Sequence, residues 1–424
     1  MRRDLATTFV TEAAVIASYL LAFRLVAARL GTTGFGEYSL SRRTISLLLP
    51  LGLLGLDVGI ARYVSYASVE RSARTGSYPT AGLAMAAAGV AVVSAVLLLA
   101  NQFWAEIFFG SSRYSPLILA LPLVLAGAAL HGIAYGYLRG LARIQWANVL
   151  MAVNYAVVPL LAIVLFGSSA ASILVAMGAG WVLVSLVALV RLPVTVKDFG
   201  LRIKELARFG IPRVPGDVLQ LSLFAAPGIL VAHASDIRVA GIVAFGIAAL
   251  GMIGSGLTPV SFVLLPFAAR MFAAGSITKL RIRVLQVAGL TLGTTLVVVI
   301  LLELFAGTLV SIYLGPSFAA GADVLRLTLI AALPWGVYIT LRSVIDAKHV
   351  QAINARNMII TFAVFVVATF ALRSAVDTVT GPILAFVLSL NVLAALTLFE
   401  VYRITRTGDS DRVPTAVEPD FTIG

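Results

Sequence analysis

FGEYSLSRRTISLLLPLGLLGLDVGIARYVSY, residues Phe35–Tyr66, is apolar and long enough to cross a bilayer as a helix. It nevertheless carries Arg42 and Arg43 side by side about two turns from its start. A third arginine, Arg24, interrupts the apolar run just before it. A charged side chain at the bilayer centre costs about 2.5–3.5 kcal/mol on the insertion scale. These arginines lie off-centre, so each costs less, and a long side chain can snorkel toward water. Three of them in the first two spans still need a counter-charge, and Glu37 is the one acid nearby. The stretch therefore predicts a cationic patch that faces a water-filled cavity and holds an anion.

The rest of the composition fits a membrane protein. Of 424 residues, 60% are hydrophobic and 12% charged, and mean hydropathy is +1.02. A soluble domain has about 25% charged residues. The surplus apolar surface needs lipid, which makes the expected class an all-α polytopic membrane protein. There is no cysteine, which excludes thiol chemistry. His131, His233 and His349 are scattered without metal-ligand spacing, so they read as isolated polar residues near helix ends, and no metal site is expected. The net charge of +12 reflects basic loops rather than a nucleic-acid partner.

Apolar windows place twelve spans near 8–28, 37–62, 79–100, 115–138, 147–166, 171–191, 214–234, 239–268, 284–305, 323–343, 353–373 and 381–402. The N-terminal Met1-Arg2-Arg3 followed by an apolar run reads as a retained first helix rather than a cleaved leader, because another span follows it. Residues 192–213 form a basic amphipathic linker expected on the membrane surface. Residues 403–424 form a polar tail expected to be disordered. Twelve spans put both termini on one side. With the N-terminus inside, the outer loops hold Arg29, Arg113, Arg238, Arg326 and Arg373, while most of the 31 lysines and arginines fall inside. This asymmetry predicts cytoplasmic N- and C-termini in the cytoplasmic membrane of a prokaryote.

The two halves repeat. Ile107-Phe-Phe-Gly110-Ser-Ser112 matches Ile312-Tyr-Leu-Gly315-Pro-Ser317 at an offset of 205, and Phe35-Gly36 matches Ala240-Gly241 at the same offset. Leu138-Arg139-Gly140 matches Leu341-Arg342-Ser343 at 203. Six spans separate equivalents, so the repeats have the same orientation and are related by an axis along the membrane normal. The expected domains are six-helix bundles at 1–191 and 214–402, pseudo-symmetric around a central cavity.

Leu25-Val-Ala-Ala-Arg-Leu-Gly31, Phe35-Gly36-x-Tyr38, Pro50-Leu51, Leu54-Gly55-Leu56 and Ile60-Ala-Arg62-Tyr63-Val64 resemble the opening of Wzx-type polysaccharide flippases. Arg208-Phe209-Gly210-Ile211-Pro212 and Pro266 continue the resemblance into the second half. These flippases belong to the multidrug/oligosaccharidyl-lipid/polysaccharide exporter superfamily. The resemblance implies two six-helix bundles around a cavity. It also implies movement of a polyprenyl-linked oligosaccharide between leaflets by alternating access.

The implied headgroup carries phosphate, which the planar fork of arginine binds well, so Arg24, Arg42 and Arg43 are the substrate-binding candidates. In an unbroken helix Arg43, Pro50 and Asp57 share a face. Asp57, Arg62 and Arg270 lie near the inner ends of spans 2 and 8 and are candidates for an inner gate, or simple anchors. Asp217, beside Pro212, Pro215 and Gly216, is a candidate proton or sodium site, with Asn391 in span 12 as a second ligand. No cofactor is expected beyond such an ion or the membrane potential. Pro227-Gly228 interrupts span 7 and is the hinge candidate. Gly132, Gly136 and Gly140 on span 4 suit close packing within a bundle. Glu303 and Glu400 are read as solvated at span ends.

Partners are the lipid-linked oligosaccharide and membrane lipids. The chain is expected to work as a monomer, beside glycan-synthesis proteins. A multidrug exporter is the nearest alternative, but cationic drugs call for buried carboxylates where this chain has arginines. A membrane glycosyltransferase or polymerase is the alternative from another class. Such enzymes need a sizeable loop with acidic or histidine residues, and the outer loops here are short. Reporter fusions test the topology: fusions after Arg113 and after Arg373 are both expected to report the outside, and cytoplasmic signal from both would overturn it.

Overall fold

The computed structural model describes residues 2–69, 76–190, 195–349 and 353–406. The first three residues of the linker after Val190 and Arg191, and most of the expected tail, lie outside the described residues. The described chain is α-helical, joined by short turns, with no strand among the described residues. In order, the helices are α1 (Arg2–Leu53), α2 (Leu56–Val69), α3 (Ser77–Leu99), α4 (Asn101–Phe109), α5 (Ser115–Gly140), α6 (Ile144–Ala152), α7 (Val158–Phe166) and α8 (Ala170–Val190). Then follow α9 (Phe199–Gly210), α10 (Val214–Ala234), α11 (Ile237–Ala273), α12 (Ile277–Tyr313), α13 (Ala322–Leu329), α14 (Ala332–Lys348), α15 (Ile353–Leu372) and α16 (Thr380–Arg406).

Eleven helical stretches among the described residues are long and apolar enough to cross a membrane. The first, Thr7–Leu53, holds 47 residues. That is about 70 Å of helix against a hydrocarbon core of about 30 Å. It contains two spans, because Gly31 leaves the helical region with φ 63° and ψ −164°. A side chain rarely adopts that φ, so glycine is what permits the turn. Dividing α1 there brings the count to the expected twelve.

The second span differs from the expected single helix over 37–62. It breaks at Leu54 and Gly55, which take positive φ of 55° and 68°. Pro50 lacks a donor one turn earlier, which weakens the helix at this point. Across the break, Gly55 meets Gly210 at the end of α9; a Cβ on Gly210 would lie 2.1 Å from the Leu54 carbonyl oxygen. The linker thus reaches the membrane-spanning helices instead of only lying over them, with Arg202, Leu206 and Gly210 buried. Arg43 and Pro50 share a face of one helix, but the helix breaks before Asp57, so the periodicity that joined all three no longer applies.

The described residues fall within two compact units. The first comprises Met1–Phe245, Ala306–Leu325 and Asp377–Pro382; the second comprises Gly246–Phe305, Arg326–Val376 and Ile383–Gly424. In the first, α5 is the central helix and packs on α8, α2 and α3. Its glycines sit where they were expected to pack: Gly132 meets Leu53, Gly136 meets the Asp57 carbonyl and Gly140 meets Val64. The core of the second unit includes Leu264, Phe272, Leu280, Val337, Leu341 and Ile345.

At the Gly31 end of the first unit, α1 and α11 cross at a pair of glycines. A Cβ on Gly36 would lie 2.0 Å from the Ile237 carbonyl oxygen, and one on Gly241 would lie 2.3 Å from Gly36 Cα. Beside them, Arg238 Nε donates to Thr33 Oγ1 at 3.1 Å. The residues that touch, 33 with 238 and 36 with 241, stand 205 apart, the offset of the sequence repeat. Overpacking a close crossing costs about 1–3 kcal/mol. Gly241→Val is therefore expected to lower the thermal unfolding midpoint in detergent by several degrees. Gly289→Ala, whose Cβ meets nothing within 4 Å, is expected to leave it unchanged or raise it. Equal midpoints for Gly241→Val and wild type would show that the crossing is not tightly packed.

Candidate functional site

Arg42 and Arg43 point in different directions because successive helical residues are about 100° apart. Arg42 is held by aromatic faces. Its guanidinium carbon lies 4.2 Å from the Tyr19 ring centroid, 5.8 Å from Phe23 and 5.9 Å from Tyr38. Nη1 also donates to Tyr38 Oη at 3.3 Å. Tyr38 lies one turn before Arg42, so the helix itself brings them together. Tyr19 and Phe23 come from the other limb of α1, folded back at Gly31. A desolvated cation–π contact is worth about 2 kcal/mol or more. Rings hold the cation without neutralising it.

Arg43 is only loosely engaged. Its Nε and Nη2 both donate to one acceptor, the Ala244 carbonyl oxygen of α11, at 3.4 Å. Those are long bonds; charge-assisted contacts to phosphate close to about 2.7–2.9 Å. Among the described residues neither Arg42 nor Arg43 forms an ion pair. Both keep partial exposure. Ser39 and Ser41 beside them are buried, and their hydroxyls find no partner among the described residues. The result is two adjacent positive charges on one membrane-embedded helix, a charge that suits an anion.

Arg24, the third candidate, is engaged by backbone acceptors. Nη1 donates to the carbonyl oxygens of Ile312 and Tyr313, both at 2.6 Å. These are terminal carbonyls of α12, where a cation satisfies free acceptors and complements the helix dipole. The Tyr313 hydroxyl in turn donates to the Leu20 carbonyl.

The other candidates divide between the two units. Asp57 and Arg62 belong to the first unit and Arg270 to the second. Arg62 lies over Phe209 at 5.1 Å, and Arg213 lies over the same ring at 3.6 Å. Arg270 is exposed and donates to the Pro266 carbonyl of its own helix at 3.2 Å. Asp217 is exposed and within electrostatic reach of Asp57 and Arg213. Asn391, in the second unit, donates to the Val387 carbonyl of its own helix at 2.8 Å. Pro227 and Gly228 are buried within α10, and a Cβ on Gly228 would lie 3.2 Å from Leu40 of α1.

Two readings need correction. Glu400 is not solvated but 2% exposed, and accepts from Arg403 Nη2 at 2.6 Å beside His349 Nε2 at 2.9 Å. A buried carboxylate persists only with such partners. His131 is not near a helix end but inside α5, where its Nδ1 meets Asn154 Nδ2 at 2.9 Å; that nitrogen also reaches Ser185 Oγ at 3.1 Å. Asn154 and Tyr155 sit in a π-helical turn, Val153–Val157, between α6 and α7. The Glu400–Arg403 spacing was visible in the sequence, whereas the grouping of His131, Asn154 and Ser185 left no local signal.

The model of a family described as polysaccharide biosynthesis protein matches residues 5–272, which span α1 through nearly all of α11. The chain belongs to this family. It is the Wzx-type flippase family, as the resemblance of its opening residues implied. No curated protein matches the chain by sequence. Among solved structures, an inward-facing multidrug-resistance MATE transporter of the MOP superfamily is 16% identical with a TM-score of 0.76, covering 92% of this chain and 94% of that one. The eukaryotic MATE transporter AtDTX14 is 13% identical with a TM-score of 0.69, covering 96% and 98%. A MOP-superfamily transporter from Pyrococcus furiosus, described as having a binding pocket of reversed polarity, is 14% identical with a TM-score of 0.61, covering 96% of each chain. The fold of this family member is therefore that of the MATE-like MOP transporters.

The arginines separate by test. Arg24→Ala removes two carbonyl contacts and is expected to lower the unfolding midpoint while leaving the affinity for farnesyl diphosphate within about twofold. Arg43→Ala is expected to do the reverse, weakening affinity by roughly tenfold to a hundredfold, since a charge-assisted contact is worth about 1.5–3 kcal/mol. Titration calorimetry in detergent reads both. A tenfold loss of affinity in Arg24→Ala would show that this residue binds the anion as well.

Proposed function

We propose that this protein is a flippase that moves a polyprenyl-(pyro)phosphate-linked oligosaccharide across the cytoplasmic membrane by alternating access, and that it is not an enzyme. The observation that carries the reading is the pair of unneutralised guanidinium groups, Arg42 in its aromatic cage and Arg43 on a single distant carbonyl. A drug exporter that takes cations would have to overcome that charge. The Pyrococcus furiosus relative is described in terms of pocket polarity suggesting a different function. The same criterion, applied to Arg42 and Arg43, favours an anionic substrate. The family supports a role in polysaccharide biosynthesis and the fold supports transport rather than synthesis.

In this reading both termini are cytoplasmic, so the Gly31 end of the first unit faces outward. The limb of α1 after Gly31 then runs inward and places Arg42 and Arg43 roughly 8–9 Å below the outer surface. The phosphate docks there, the sugars occupy water and the isoprenoid stays in lipid. Asp217, close to Asp57 and Arg213, is the acidic candidate for coupling to H+ or Na+. The protein works as a monomer beside the enzymes that assemble the glycan.

Proteoliposomes carrying a fluorescent prenyl-linked sugar test this. Wild type is expected to move the lipid without changing its glycan. Arg42→Ala/Arg43→Ala, made at normal levels, is expected to move it at least tenfold more slowly, and Arg43→Lys, which keeps charge but loses the fork, to fall between. Wild-type rate in the double mutant, or a changed glycan, would defeat the reading.

A further inference from the structure

The Gly31 end of the first unit is closed by more than the glycine crossing. Phe23, Phe35 and Phe245 form a cluster with centroid separations of 5.2–5.8 Å. Phe318 extends it at 5.1 Å from Phe35, and Tyr313 stacks on Phe245 at 6.0 Å. All of these residues belong to the first unit. Arg43 touches this closure. Gly36 and Arg43 are seven residues apart and so lie within about 20° of each other on one face of α1. Gly241 and Ala244, which they meet, are three apart on α11. One face of α1 thus meets one face of α11 through a close glycine contact at one level and an arginine–carbonyl contact two turns deeper.

We propose that Arg43 is a ligand-operated latch: an anionic phosphate that engages its guanidinium takes it from the Ala244 carbonyl and loosens the α1–α11 closure. The proposal rests on the reading of Arg43 as a phosphate ligand and adds a consequence to it. Both donors of Arg43 that face α11 are spent on one neutral oxygen at 3.4 Å. A phosphate offers shorter, charge-assisted bonds to the same fork. A ligand shifts a conformational equilibrium only by binding one state better than the other. Competition for the same N–H groups supplies that difference, since Arg43 cannot satisfy phosphate and the Ala244 carbonyl equally well. The remaining contacts of the closure, at Gly36, Phe35 and Arg24, do not involve the anion. They re-form the closed state once the ligand has left.

The chain has no cysteine, so two can be introduced without background. Spin labels at Thr32→Cys and Ser235→Cys report the separation of α1 and the α10–α11 turn by pulsed electron resonance, with farnesyl diphosphate as the probe and titration calorimetry run in parallel. In the wild-type background, the expected result is one short distance without probe and a growing longer one with it, the open-to-closed ratio rising about tenfold at saturation. Arg43→Gln is expected to show the longer distance already without probe and no further change on adding it. Probe binding that depends on Arg43 with an unchanged distance distribution would overturn the latch and leave the flippase reading standing. A distance change of wild-type size in Arg43→Gln would also overturn the latch. Binding unaffected by Arg43→Gln would overturn both.

Discussion

The constraint on which this structure depends is the placing of two guanidinium groups in an apolar helix with no carboxylate paired to either among the described residues. Lipid cannot solvate them, and a neighbouring acid would have cancelled them. The protein instead folds the first limb of α1 back at Gly31, so that Tyr19 and Phe23 face Arg42. The rings stabilise the cation through their quadrupoles and leave its charge in place. Arg43 is turned to the other side, against a single backbone oxygen of α11. One arginine is thereby fixed and the other left available. That asymmetry is the observation on which the proposed anion site rests.

The backbone serves the same end. Positive φ at Gly31, Leu54 and Gly55 divides what would be a single rod into a hairpin and a kinked second span. The Leu54–Gly55 break admits Gly210, which brings the linker helix against the membrane-spanning helices. There Arg202, buried in α9, donates to Tyr78 Oη at 2.8 Å and to Glu205 Oε2 at 2.6 Å. At the other end of the same span, glycine at 36 and 241 lets α1 and α11 meet backbone to backbone. The second span therefore touches α11 at one end and the linker helix at the other.

Span number, the polytopic class and the two arginines could be read directly from the chain, because hydropathy and charge are properties of local sequence. The repeat offset was also legible, and its physical meaning appeared when residues 205 apart proved to be neighbours. The breaks were not legible. Proline and glycine at 50 and 55 permit a break, but the residue packed against it, Gly210, lies far along the chain. The employment of Arg24 was hidden for the same reason, since its acceptor lies 288 residues away. Of the cage around Arg42, Tyr38 lies one helical turn away, a spacing visible in the sequence but not singled out there, whereas Tyr19 needed the fold at Gly31. Glu400 looked like a span-end acid because only one of its two partners, Arg403, is close in sequence.

The central proposal is that the fork of Arg43, held only by long bonds to the Ala244 carbonyl, takes the phosphate of a prenyl lipid. Solid-state NMR measures this contact directly, through the dipolar coupling between guanidinium ¹⁵N and the ³¹P of bound farnesyl diphosphate in lipid bilayers. The account predicts a coupling matching an N···P separation of about 3.5–4 Å, as charge-assisted N···O contacts of about 2.8 Å require, and its loss in Arg43→Lys. A bound diphosphate that shows no coupling to any guanidinium of the wild-type protein would contradict it.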